Sequence, residues 1–122
     1  MAKGKDKVDI NDYRVLRRRL LGLEERKKER LYRLAWQRAS DVATMLKERY
    51  GAGEVYLYGS LAWGGFDEHS DIDLFVVGLS GEYWQAYIDA EAAASPFRVS
   101  VACAEDCTES LKAKVKEKGV RL

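Results

Sequence analysis

The chain has 122 residues, 47% hydrophobic and 34% charged, the balance of a soluble globular protein with one core and little surface for a second site. No apolar run approaches membrane-spanning length and no charged-then-apolar leader opens the chain, so membrane and secreted classes are set aside and a cytoplasmic location is expected. The net charge of +1 conceals an asymmetry: residues 1–50 carry 15 Lys and Arg against 8 Asp and Glu, and the remainder carries 6 against 12.

Residues 1–10 read as a flexible, lysine-rich lead-in. Residues 11–122 then read as a single domain, with a helical segment over 11–50 and a core of strands and helices over 51–122. From Asn11 there is no proline and only Gly22 before Gly51, which predicts one long helix or two consecutive ones. Tyr13, Leu16, Leu20 and Leu23 form a narrow stripe at 3-4-3 spacing, the pattern of a helix that packs against another helix. Residues 24–30 have no apolar face and read as solvated. Leu31, Leu34, Ala35, Val42, Met45 and Leu46 restore a face able to cover a sheet. Three uses of the basic front helix stay open: docking to a partner protein or a second copy, a surface for RNA built on Arg17, Arg18 and Arg19, or plain solubility.

A strand is predicted near 54–59, ending at Gly59-Ser60. Glycine permits a sharp turn there, and backbone N–H groups beside the Ser60 hydroxyl suit phosphate oxygens. Gly64 and Gly65 add flexibility to the loop over 60–70. A second strand near 71–77 opens with Asp71-Ile72-Asp73 and continues apolar on both faces. Alternation puts Asp71 and Asp73 on one face, roughly 7 Å apart along the backbone. Two such carboxylates repel unless a cation lies between them, and an oxygen-only pair suits Mg²⁺ or Mn²⁺ that also takes substrate phosphates into its shell. A helix is predicted over 81–94, with Tyr83, Trp84, Tyr87, Ile88 and the alanines supplying its packing faces. Pro96 ends it and introduces a strand over 97–102. A last helix over 107–118 closes at Gly119. Cys103, Cys107 and His69 lack the paired spacing of a zinc site, and the two thiols read as free. The sum is an α/β architecture with a small mixed sheet and flanking helices, preceded by a long N-terminal helix or helix pair.

The run Gly59, Ser60, ten residues, then Ser70-Asp71-Ile72-Asp73-Leu74-Phe75-Val76-Val77 resembles the signature of the nucleotidyltransferase superfamily with the DNA polymerase β-like fold. It is most similar to the minimal nucleotidyltransferases, the antitoxin-type branch, and the likeness extends more loosely over residues 42–122. The resemblance implies that Gly59 and Ser60 contact the triphosphate of a nucleotide, with ATP favoured, and that Asp71 and Asp73 are the catalytic, metal-holding pair. It implies transfer of a nucleoside monophosphate, AMP in the first place, to a hydroxyl on a protein partner of the helical HEPN class.

Two departures stand against the family pattern. Ser100 occupies the position of the usual third carboxylate, and Glu105 and Asp106 lie beyond the strand. Trp63 stands where arginine is common, suited to stacking on a base and unable to neutralise phosphate. Arg98, on the strand face of Ser100, would offset the acids or grip a triphosphate. A catalytic base contributes a factor of roughly 10² to 10⁴, so its loss leaves binding in place and slows chemistry. The alternatives are therefore a catalytically degenerate module that binds nucleotide or partner, and an RNA-binding accessory protein.

Overall fold

A computed structural model describes residues 10–122. The lead-in expected over 1–10 falls, up to residue 9, outside the described residues. Helix α1 runs unbroken from Ile10–Tyr50, so the single-helix alternative is the one adopted. It is followed by β1 (Glu54–Tyr58), the one-turn α2 (Ser60–Trp63), β2 (Ile72–Val77), α3 (Tyr83–Ala94) and β3 (Val99–Cys103). A 3-10 turn (Ala104–Asp106), α4 (Glu109–Lys118) and the short β4 (Val120–Arg121) complete the chain.

Two compact units divide it, residues 1–30 and residues 31–122. In the first, the described part is helix whose apolar side chains face solvent, Tyr13, Leu16, Leu20 and Leu23 among them. The second holds the sheet. Its strand order is β3-β2-β1-β4, with β1 antiparallel to both neighbours and β2 parallel to β3 through the α3 crossover, so the sheet is mixed.

Alternation explains how the sheet splits its faces. Val55, Leu57, Ile72, Leu74, Val76, Val99 and Val101 are buried and share one hydrophobic cluster with two helices. From α1 come Ala35, Ala39, Val42, Ala43 and Leu46, spaced at three and four residues, which places them on one helical face. From α3 come Ala86, Ala90 and Ala94, whose small side chains allow the helix to lie close to the strands. Burial of each large aliphatic side chain in that layer contributes about 1.5–3 kcal/mol. Trp84 and Ile88, expected to pack, instead point outward, 67% and 57% exposed, because Ala86 and Ala90, two residues further on and on the opposite side of the helix, occupy the contact. Tyr83 stays partly buried and its hydroxyl donates to the Val101 carbonyl at 2.9 Å, on the edge strand.

The opposite face carries Tyr56, Tyr58, Asp73, Phe75 and Ser100, by the same alternation. Helix α4 begins with the Thr108 hydroxyl accepting from the Leu111 N–H, and it buries Val115 fully. Gly119 ends α4 as expected, but through space rather than a left-handed backbone. Its φ is −70°, and an added Cβ would press into the Val115 carbonyl. The sequence reading assigned no strand to residues 120–121, two residues being too few for any alternation to register. They add β4 beside β1, and Arg121 reaches Glu54 at 3.4 Å. No helix among the described residues is long and apolar enough to cross a membrane.

Candidate active site

The site gathers where β1 ends and β2 and β3 begin. Gly59 leaves β1 with φ 76°, a conformation open to glycine and costly to residues with a side chain. A second constraint acts at the same position. A Cβ on Gly59 would run into the carboxylate of Asp73, whose own Cβ would lie at 3.3 Å from it. The turn and the acid are therefore packed against each other, and the glycine is required on both counts.

After Gly59 the chain closes into α2. Its carbonyl accepts from Ala62 N–H at 3.1 Å and Trp63 N–H at 2.8 Å, and the Ser60 carbonyl accepts from Gly64 N–H at 2.8 Å. Leu61 is fully buried and anchors the turn in the core, while its carbonyl accepts from the Tyr32 hydroxyl of α1 at 3.4 Å. Ser60 is thus held at the mouth of the turn, partly exposed.

The loop to β2 is ordered by its own polar groups. The Asp67 carboxylate accepts from the His69 N–H at 2.8 Å and from the Ser70 hydroxyl at 3.1 Å. The His69 backbone bond, then the Ser70 hydroxyl, hold the Asp67 carboxyl below its ordinary range. Phe66 packs edge-on against Phe97, ring centroids 5.7 Å apart, which ties the loop to the segment entering β3. His69 points to solvent beside Glu68, at 3.5 Å.

The strand register sets the acids. Asp73 lies between Tyr58 on β1 and Ser100 on β3, paired directly with both. Asp71 stands at the open end, where the Arg98 carbonyl accepts from the Ile72 N–H at 2.9 Å. The Arg98 Nε comes to 4.0 Å from Asp71, with the two side chains 85% and 47% exposed. The structure thus brings Gly59, Asp71, Asp73, Arg98 and Ser100 to one corner of the sheet, with Ser60 next to Gly59.

Their environments differ. Burial, and then the nearby charge of Asp71, push the Asp73 carboxyl above its ordinary range. The Tyr58 phenol is pushed up by burial, then by the charge of Asp73 and of Cys107. Tyr58 was not singled out from the sequence. Its signal was there, since it directly precedes Gly59 and alternation puts it on the face of an antiparallel partner's acid.

Trp63 is committed to structure. Its indole N–H donates to the Lys118 carbonyl at 2.9 Å, Lys114 Nζ lies 5.1 Å from its ring centroid, and Tyr58 packs on it at 6.1 Å. It ties α2 to the end of α4, so a base stacking there would share the ring with these contacts. Cys103 and Cys107 are free thiols, the Cys107 Sγ donating to the Cys103 carbonyl at 3.1 Å, and burial raises both.

A divalent ion fits this corner only in part. Asp71 and Asp73 offer hard oxygen donors, and the absence of a Cβ at Gly59 leaves the Asp73 carboxylate its place in the turn. Among the described residues, no group of three or more His, Cys, Asp or Glu side chains is gathered to hold a metal. Glu105 and Asp106, in the 3-10 turn after β3, do not form such a group with the pair. Two carboxylates leave most of an octahedral shell to water and to the phosphates of a ligand.

The mixed sheet thus carries a glycine turn after its first strand, packed against Asp73 of β2, with Asp71 one residue before that strand. The chain belongs to the nucleotidyltransferase domain family, whose family model matches residues 39–119, from the second half of α1 to the end of α4. No curated protein matches the chain. The family's general function is nucleotidyl transfer.

Proposed function

We propose that the protein binds a nucleoside triphosphate, ATP in the first place, with Mg²⁺ or Mn²⁺ at Asp71 and Asp73, and transfers AMP slowly to a hydroxyl on a protein partner in the cytoplasm. The observation that carries this reading is the packing of the Asp73 carboxylate against Gly59, which fixes the acid and the phosphate-sized turn as one unit. An ion between the acids would neutralise charge on the triphosphate and on the displaced pyrophosphate. Ser60 and the backbone of the turn would orient the phosphates, and Arg98 would share their charge. Catalysis would rest on positioning and neutralisation, with Ser100 standing where a third acid would take the acceptor's proton. The partner class implied by the resemblance is a helical HEPN protein, in an antitoxin-like pairing.

The second reading has its own support in Ser100. A neutral hydroxyl lies directly beside Asp73, where a third acid would serve as ligand and base. A module that binds nucleotide without turnover follows from it. Incubation with α-labelled ATP, Mg²⁺ and a helical HEPN protein as acceptor separates the two. Slow transfer of label that vanishes in Asp73→Asn supports the enzyme. Transfer seen only in Ser100→Asp, with a gain of roughly 10² to 10⁴, assigns the native chain to the binding module.

A further inference from the structure

The helix of residues 10–30 presents an apolar stripe to solvent. Tyr13, Leu16, Leu20 and Leu23 are 62%, 55%, 52% and 49% exposed, values that core residues do not show. Their spacing is that of alternating a and d positions of a heptad, with Tyr13 and Leu20 at a and Leu16 and Leu23 at d. Lys27 and Arg30 take the next a and d positions and end the seam. A glycine at position 22 lowers the helix propensity of the same stretch by about 1 kcal/mol relative to alanine. Helices in water depend chiefly on packing of an apolar face.

The flanking charges select the occupant. In this register Asp12 and Arg19 fall at g, and Arg17 and Glu24 fall at e. In a parallel pair each g residue faces the e residue five positions further along the other helix. Asp12 then meets Arg17 of the second copy, and Arg19 meets Glu24 of the second copy, twice over by symmetry. All of these side chains are exposed in the single chain. An antiparallel pairing of the same four layers brings Arg17 against its own copy and Arg19 against its own copy, like charge on like charge. We infer that residues 12–24 form a parallel two-stranded coiled coil with a second copy of this chain.

The seam is short, roughly 16 Å of helix axis over residues 13–23 at 1.5 Å per residue. Four core layers make a small coiled-coil interface, so weak association in the micromolar range is expected. The charge pattern on each helix is basic overall, which leaves an RNA or an acidic protein as rival occupants.

Sedimentation of the full-length chain across micromolar to submillimolar concentration tests this. The native chain is expected to pass from monomer to dimer. Leu20→Glu should raise the dissociation constant at least tenfold while the circular dichroism of the folded chain is retained. Glu24→Arg alone should weaken the dimer several-fold, and Arg19→Glu with Glu24→Arg should restore it. Residues five apart on one helix do not face each other, so a bond within one chain cannot explain that rescue. A chain that stays monomeric at every concentration overturns the inference, whether or not it binds single-stranded RNA or an acidic protein. A dimer indifferent to Leu20→Glu, or a charge exchange that fails to rescue, overturns it equally.

Discussion

Asp71 and Asp73 are two residues apart, Asp71 just before β2 and Asp73 within it, and the fold gives them different situations. Asp73 lies inside the sheet, between Tyr58 and Ser100, with its carboxylate against Gly59 and its protonation favoured by burial. Asp71 lies at the strand's open end, half exposed, with Arg98 as its counter-charge. The inner acid is fixed and poorly neutralised. The outer one is half exposed to solvent and already partnered. A cation or a metal-bound triphosphate would relieve the inner acid and would have to compete with arginine for the outer one. Position relative to the sheet edge, rather than residue type, makes them unequal.

The largest effect is expected at Gly59. Gly59→Ala forces a side chain into a positive-φ turn and against the Asp73 carboxylate, and strain of this kind costs about 1–3 kcal/mol. Denaturant unfolding should show that loss, and calorimetry should show ATP binding gone with it. If stability and binding both survive, the turn and the acid are not one unit.

A smaller effect is expected at Asp73 itself. In carbon NMR of the metal-free protein, its carboxyl should titrate above the ordinary aspartate range, because burial and then Asp71 disfavour its charge. The folded chain then holds that proton more tightly than the unfolded one. Its contribution to stability is present at low pH and is lost as pH rises through the raised value. Added Mg²⁺ should compete with the proton and bring the midpoint down. An unmoved midpoint would falsify the placement of a cation beside this acid.

The least effect belongs to Arg98. Exposed ion pairs are worth about 0.2–1 kcal/mol, so Arg98→Ala should tighten binding of Mg²⁺ alone by at most about fivefold. Weaker Mg²⁺ binding in that variant would mean that Arg98 supports the acids rather than competing for one.

Much of the fold was legible because alternation and helical spacing speak directly to burial. Ile72, Leu74 and Val76 fall on the core face, and Ala35, Val42 and Leu46 fall on the covering helix. Ser100 stood out through the family resemblance, as the position of the usual third carboxylate, and the parallel register of β2 and β3 sets it beside Asp73. Other features depended on contacts between distant segments, which no local pattern carries. Trp63 meets Lys118 and Lys114 across fifty residues, so its role in tying α2 to α4 was invisible. Trp84 and Ile88 read as core by hydrophobicity alone, and the alanines displaced them because small residues permit closer packing. The strand at Val120–Arg121 arises from pairing with β1 and has no signature of its own.

On the proposed reading, Asp73, seated on Gly59, makes this corner a site for a metal-bound triphosphate even without a third acid. Titration calorimetry with ATP, on the native chain and on Asp73→Asn, tests it most directly. Binding by the native chain is expected to require Mg²⁺ or Mn²⁺, to disappear with a chelator, and to weaken at least tenfold in the variant. ATP binding of equal strength with and without metal, or in both proteins, would contradict it.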